Sequence, residues 1–108
     1  MPVHNKLVRD NIPKIIKKSG KKCTTEILDD ERYVIELKKK LKEEVNEYFE
    51  APNNEEALEE LADILELIHA LSRVHGASID QIEHIREDKA KKRGGFDQKV
   101  FLIEVEDE

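Results

Sequence analysis

Residues 30–75 read DERYVIELKKKLKEEVNEYFEAPNNEEALEELADILELIHALSRVH, and this stretch decides the fold. On both sides of the short APN segment, apolar residues recur three and four positions apart, which is the spacing of an amphipathic helix. The spacing predicts two long helices, over residues 30–50 and 54–75. Because the connection between them is so short, we expect the two helices to fold back antiparallel.

Glycine and proline mark the ends of two further helices, predicted over residues 10–19 and 78–93. Pro13 suits the first turn of a helix, and the glycines at positions 20, 76, 94 and 95 suit helix ends. Side chains that can cap a helix precede three of the predicted starts: Asp29 or Asp30, then Asn53 or Asn54, and finally Ser78 in an S-x-x-Q capping box. The expected fold class is therefore all-α, a four-helix bundle.

Two segments outside the helices have the composition of short strands. Residues 24–28 and 100–105 are rich in β-branched and aromatic residues, and Phe101, Ile103 and Val105 alternate along the second segment. They predict a small two-stranded β ribbon in addition to the helices. An isolated ribbon is marginal in water, so it would have to lie against the helices or a partner chain.

The composition indicates one intracellular domain without disulfides. A chain of 108 residues fits a single core, so we assign residues 1–108 to one domain. Its apolar runs are too short to span a membrane and its first residues too basic for a signal peptide, so we expect a cytoplasmic protein with no membrane partner. One cysteine, with no histidine at zinc-ligand spacing, excludes disulfide scaffolds and zinc modules. A net charge of −6 argues against binding to a nucleic acid polymer.

The predicted third helix is apolar over an unusually wide arc. Its apolar positions are Ala57, Leu58, Leu61, Ile64, Leu65, Leu67, Ile68, Leu71 and Val74. One neighbouring helix covers only a stripe of this surface, so two partners must cover the arc. We therefore expect a bundle that is completed by further copies of the chain, as a homodimer or a homotetramer.

Carboxylates stand where these two helices should be apolar. In the second helix Glu44 falls at the edge of the apolar stripe, with Glu47 one turn further on, and in the third helix Glu60 falls inside the arc with Asp63 at its rim. An antiparallel hairpin would bring the two pairs together, and four close negative charges need a cation. Oxygen ligands without cysteine or histidine favour Mg²⁺, or alternatively Mn²⁺. The other interpretation of Glu60 is a salt bridge to a lysine or arginine.

The same residues resemble a family motif. Glu43-Glu44-Val-Asn-Glu47, twelve intervening residues and Glu60-Leu-Ala-Asp63 match the E-E-x-x-E and E-x-x-D motifs of the MazG-like, all-α nucleoside triphosphate pyrophosphatases. NKLVRD at residues 5–10, the Ile12-Pro13 pair and RGGF at residues 93–96 resemble the phosphoribosyl-ATP pyrophosphohydrolase-like branch of that superfamily. The resemblance spans about the whole chain.

The resemblance implies a Mg²⁺-dependent hydrolase that cleaves a nucleotide between its α and β phosphates. The products would be a monophosphate and pyrophosphate, as in the house-cleaning of a nucleotide pool. By motif position, the implied metal ligands are Glu44, Glu47, Glu60 and Asp63. Glu44 would thus belong to the catalytic centre, and Glu43 would act as a general base or as a group behind the ligands.

Cations must face such an acidic centre if it is to hold phosphates. The candidates for substrate binding are Lys6, Arg9, Lys89, Lys92 and Arg93. A simpler interpretation places the first two on a solvated surface, while the last three stabilise the negative end of a helix dipole. Gly94-Gly95 is likewise either a helix stop or part of a loop that closes over the site.

Two other functions are compatible with the sequence. One is the hydrolysis of phosphoribosyl-ATP in histidine biosynthesis, which the sequence does not separate from the first. The other is a non-catalytic oligomeric module whose carboxylates hold a structural metal or bind a nucleotide without cleaving it. Metal-dependent release of pyrophosphate distinguishes an enzyme from the module.

Overall fold

The computed structural model describes residues 2–107, so Met1 and Glu108, at the ends of the domain assigned from the sequence, lie outside the described residues. Within that range the chain forms four α-helices, which are α1 Ile12–Lys18, α2 Asp30–Glu50, α3 Asn54–Val74 and α4 Ile79–Arg93. Their bounds differ from the predicted ones by two residues or fewer. The all-α fold class is confirmed.

Local contacts explain where the helices begin. Asp29 caps α2 by accepting a hydrogen bond from the backbone N–H three residues on, at 2.8 Å, and Asn53 caps α3 in the same way at 2.9 Å. Ser78 and Gln81 form the predicted capping box of α4. Pro13 lies in the first turn of α1, where its fixed φ fits the helix. The caps of α2 and α3 settle which of the neighbouring Asp and Asn residues start each helix.

Helices α2 and α3 pack against each other as a hairpin that residues 51–53 close, and α4 packs on α3. The centre of the hairpin is Leu37, which is the one apolar side chain classed as buried in residues 2–107, at 2% exposure. Val34, Leu41 and Val45 of the same stripe are half-buried. Tyr48 continues this stripe by helical spacing, but it lies in the last turn of α2 and is exposed.

The chain is elongated and leaves much apolar surface uncovered. Its radius of gyration is 18.7 Å, where a compact chain of this length would have roughly 13 Å. Its accessible surface is 10285 Å², against about 6,200 Å² for a compact monomer of 12.6 kDa. Leu58, Leu61 and Leu65 lie on one face of α3 and are all exposed. The single chain thus covers only part of the wide apolar arc.

The segments with strand-like composition are not strands in the described residues. Residues 24–28 and 100–105 carry no strand anywhere in the range 2–107. The apolar side chains of the second segment are between 72% and 87% exposed. The ribbon, which needs support from helices or from a partner chain, stays a prediction.

Across residues 2–107, none of the helices combines the length and the apolar character that crossing a membrane requires.

Candidate metal centre

The α2–α3 hairpin brings the two predicted carboxylate pairs together. Carboxylate oxygens of Glu44, Glu60 and Asp63 lie within 4.8 Å of one another, and so do those of Glu43, Glu44 and Glu47. Glu44 belongs to both groups, so α2 and α3 contribute to one cluster. We call these five residues the acidic centre.

The middle of the acidic centre is buried. Glu44 is only 7% exposed, because it follows Leu37 and Leu41 at helical spacing along the face of α2 that packs on α3. Glu44 Oε2 and Glu60 Oε2 are both buried and have no hydrogen-bond partner among the described residues. A buried carboxylate without a partner is costly by several kcal/mol, so these oxygens require either a proton or a cation.

The acidic centre shifts the titration of its two innermost members upward. Burial, the adjoining Glu60 and Glu47 carboxyls and the charge of Asp63 raise the pKa of Glu44 from 4.5 to about 7. For Glu60, contact with Glu44 lowers the pKa, but burial and the neighbouring Glu47 and Asp63 outweigh it, so the net pKa is raised. Without a metal, bound protons thus neutralise part of the negative charge that a cation would otherwise neutralise.

Two cationic side chains of residues 2–107 contact the acidic centre, one on each side. Arg9 Nη2 donates to Asp63 Oδ1 at 2.6 Å. Lys40 Nζ lies 3.7 Å from Glu43 Oε1 and 3.7 Å from Glu44 Oε1, one turn away along α2. Neither cation reaches the two unpartnered Oε2 atoms, and Glu60 forms no ion pair within the described range. The salt-bridge interpretation of Glu60 therefore finds no partner in residues 2–107.

An open cleft of about 400 Å³ adjoins the acidic centre at the hairpin loop. It is lined by Glu47, Glu50, Ala51, Pro52, Glu56, Glu59 and Glu60. All of its charged lining residues in the described range are carboxylates, so a phosphate would be repelled from it unless a cation intervened.

The predicted cations differ in how close they come to the acidic centre. Arg9 contacts it directly, while Lys6 lines a shallow groove along α2 that also includes Lys40 and Glu43. The basic residues Lys89, Lys92 and Arg93 are exposed on α4 and form no ion pair with the acidic centre within residues 2–107. Gly94 ends α4 with a φ of 80°, which fits the helix-stop interpretation of the Gly94-Gly95 pair.

Two residues that contact this region were not predicted from the sequence. Lys40 stands three and four positions before Glu43 and Glu44, and that spacing is a detectable signal for an ion pair on a helix. Glu66 lies one turn after Asp63, and its Oε1 is 3.9 Å from Arg9 Nη1. No spacing rule connects residues so far apart in sequence, so the contacts of Arg9 could not be predicted.

The residues present fit a hard divalent cation. The donor set consists of carboxylate oxygens from two helices, with neither cysteine nor histidine among the grouped residues of the described chain. The buried, unpartnered oxygens of Glu44 and Glu60 are the atoms that such a cation would satisfy.

Comparison with known proteins adds no relative: no protein-family model, curated protein or solved structure matches the chain.

Proposed function

We propose that this chain is a divalent-cation-dependent nucleotide pyrophosphohydrolase. It would hydrolyse a nucleoside triphosphate, or a related nucleotide, between the α and β phosphates and release a monophosphate and pyrophosphate. One observation carries the proposal: two carboxylate pairs from facing helices meet around buried oxygens that have no partner in the described residues. The proposed role is the removal of aberrant or surplus nucleotides from the cytoplasmic pool.

The resemblance to MazG-like pyrophosphatases adds support, because its motif positions coincide with the acidic centre. The sequence motifs name Glu44, Glu47, Glu60 and Asp63 as ligands, and three of these share one group of oxygens within 4.8 Å. Glu47 joins through the second group with Glu43 and Glu44. The motif is a pattern of spacing in the sequence, whereas the clustering of the carboxylate oxygens is a property of the fold.

Each part of the acidic centre has a role in the proposed reaction. Glu44, Glu47, Glu60 and Asp63 would hold Mg²⁺ or Mn²⁺, whose positive charge would stabilise the negative charge that develops on the phosphates. Glu43, which is less buried than Glu44, accepts a proton from the attacking water. Lys6 and Arg9 are the nearest cations for the remaining phosphate charge, and Lys89, Lys92 and Arg93 would act only if α4 of this chain or of a partner approaches the substrate.

We also propose that the active form is a homodimer or a homotetramer. The accessible surface exceeds that of a compact monomer by about 4,000 Å², and stable homodimer interfaces bury roughly 2,000–5,000 Å². The exposed leucines of α3 would form the centre of the interface. A second copy would also supply cations to a cleft whose own charged lining is acidic.

The experiment is a substrate panel with purified full-length chain. Pyrophosphate release is measured for ordinary and modified nucleoside triphosphates and for phosphoribosyl-ATP, with Mg²⁺, with Mn²⁺ and with chelator. We expect release with at least one nucleotide, dependent on the metal and abolished in Glu60→Gln. Glu87→Gln is the matched control, because Glu87 is exposed on α4, away from the acidic centre. Preference for phosphoribosyl-ATP would select the histidine-biosynthesis alternative.

The acidic lining of the cleft favours a second candidate, the non-catalytic module that holds a metal. A cleft with charged lining of one sign binds a cation without needing a phosphate. Calorimetry with Mn²⁺ alone, combined with the substrate panel, separates the two. Metal binding without turnover on any nucleotide would support the module and exclude the enzyme.

A further inference from the structure

Arg9 holds the N-terminal segment, residues 2–11, against α3. Its guanidinium donates to Asp63 at 2.6 Å and lies 3.9 Å from Glu66, one turn further along the helix. Ile12 N–H donates to the carbonyl oxygen of Arg9 at 3.0 Å, so the segment runs directly from this contact into α1. The segment thus contacts a carboxylate of the acidic centre through Arg9.

The guanidinium and a divalent cation would compete for Asp63. Arginine is always charged and only donates hydrogen bonds, so at Asp63 it meets the same need for positive charge that a metal would meet. The two positive charges repel at close range, and binding one weakens the other.

The geometry of the Arg9 contact favours release over retention. Arginine–carboxylate pairs are strongest when two N–H groups bind both oxygens of the same carboxylate. Here only one nitrogen is at hydrogen-bond distance from Asp63, and the other faces Glu66. The Arg9 side chain is 57% exposed, so water can solvate it readily once it leaves.

We propose that Arg9 is the counter-cation of the acidic centre when no metal is bound, and that a divalent cation displaces the Arg9 guanidinium from Asp63. Displacement detaches the N-terminal segment from α3 and leaves a free guanidinium for an anionic ligand. The metal then binds before the anion, and the segment reports whether the centre is occupied. This inference rests on the metal site of the proposed function.

The first test is Mn²⁺ titration calorimetry on the full chain and on Arg9→Gln. We expect the variant to bind Mn²⁺ more tightly by about 2- to 10-fold, since the competing charge is gone. Arg32→Gln is the control, because Arg32 pairs with Glu26 at 3.1 Å outside the acidic centre, and its Mn²⁺ affinity should not change. Unchanged or weaker binding in Arg9→Gln would overturn the proposal and make Arg9 a bystander or a positioning residue for Asp63.

The second test follows the segment itself by hydrogen exchange. Saturating Mn²⁺ should speed the exchange of the Ile12 amide, which donates to the Arg9 carbonyl oxygen, in the wild type, while in Arg9→Gln this amide should exchange fast with or without Mn²⁺. Slower exchange on Mn²⁺ addition would contradict displacement. A wild-type chain that binds no Mn²⁺ at all would refute the proposed function as well. A chain that binds Mn²⁺ without any change in exchange would refute only the displacement of Arg9.

Discussion

At the scale of single residues, the acidic centre is expected to lower the stability of the metal-free chain. Glu44 occupies a position on the packed face of α2 where an apolar side chain would be more stable. Its Oε2 and that of Glu60 gain no hydrogen bond from the described residues. Groups of this kind are expected where function opposes stability, and replacing them shows which of the two they serve.

Replacing Glu60 by Gln should leave the metal-free protein at least as stable as the wild type, and Asp63→Asn, which also loses the ion pair with Arg9, should differ from the wild type by less than about 1 kcal/mol. Each change removes one of several repelling charges while the shape is kept. Wild type with Mg²⁺ at about 100 times its dissociation constant should gain roughly 2.7 kcal/mol, and the variants should lose most of that gain. Thermal melts with and without Mg²⁺ measure both effects, with Glu87→Gln as control. Glu60 would instead be a structural salt-bridge partner if Glu60→Gln melted at a lower temperature than the wild type without metal and the wild type showed no response to Mg²⁺.

The raised pKa of Glu44 predicts how metal-free stability depends on pH. Its pKa is 4.5 unfolded and about 7 folded, so between these values the folded state binds more protons than the unfolded state. The resulting contribution to the free energy of unfolding is complete below pH 4.5 and is lost as pH rises through about 7. The groups facing Glu44 are Lys40, Glu43 and Glu47 on α2 and Glu60 and Asp63 on α3.

Urea unfolding in chelator across this pH range should show that loss in the wild type and a flatter profile in Glu44→Gln. Metal affinity should move in the opposite direction and rise with pH through the same range, because a ligand must lose its proton to bind. A wild-type profile as flat as that of the variant would show that Glu44 titrates normally.

At the scale of secondary-structure elements, the N-caps fix where the two helices of the hairpin begin. Asn53 accepts from the Glu56 N–H at 2.9 Å and thereby fixes the first turn of α3 next to the cleft. Asn53→Ala should lower the free energy of unfolding by about 1 kcal/mol, within the range of roughly 0.5–2 kcal/mol for N-caps. Chemical denaturation measures the loss. Asn54→Ala, inside the helix, should cost less, and a reversal of this order would assign the cap to Asn54.

The basic C-terminal end of α4 either contacts phosphates or only stabilises the helix dipole. Lys92→Ala or Arg93→Ala should weaken substrate use without abolishing metal binding if this end contacts phosphates. If the residues only stabilise the helix dipole, the free energy of unfolding should fall by some tenths of a kcal/mol while turnover stays unchanged. Steady-state kinetics and a melting curve on the same samples distinguish these results.

Most of the elements could be predicted from the sequence, because their signals are local. Helical periodicity, a cap at Asn53 or Asn54 and the i, i+3 carboxylate pairs all lie within one or two turns. The contact between Arg9 and Asp63 joins residues that are 54 positions apart, and no local pattern specifies it. The exposure of Leu58 and Leu65 also depends on which neighbours are present, although the width of the apolar arc had indicated that one chain would not cover them.

At the scale of the whole molecule, the exposed face of α3 predicts self-association. The chain should elute as a dimer or tetramer in size-exclusion chromatography with light scattering at micromolar concentration, and its melting temperature should rise with protein concentration. Leu65→Glu should shift the chain toward monomer, since Leu65 is half-exposed in the single chain and lies on the exposed face of α3 with Leu58 and Leu61. Gln98→Glu is the control, because it introduces the same charge at an exposed polar side chain outside α3. A wild-type monomer at these concentrations would remove the proposed interface.

The loop at residues 51–53 has a consequence for how the molecule is built in time. Since it joins α2 directly to α3, the carboxylates at positions 43–63 come from one stretch of chain, and their meeting requires only a short loop to close. Such local contacts form early in folding, before copies of the chain associate. We therefore expect the carboxylates of the acidic centre to come together in the hairpin before the rest of the structure has formed. If the acidic centre binds a divalent cation, as proposed, we expect the cation to speed folding as well as stabilise the folded chain.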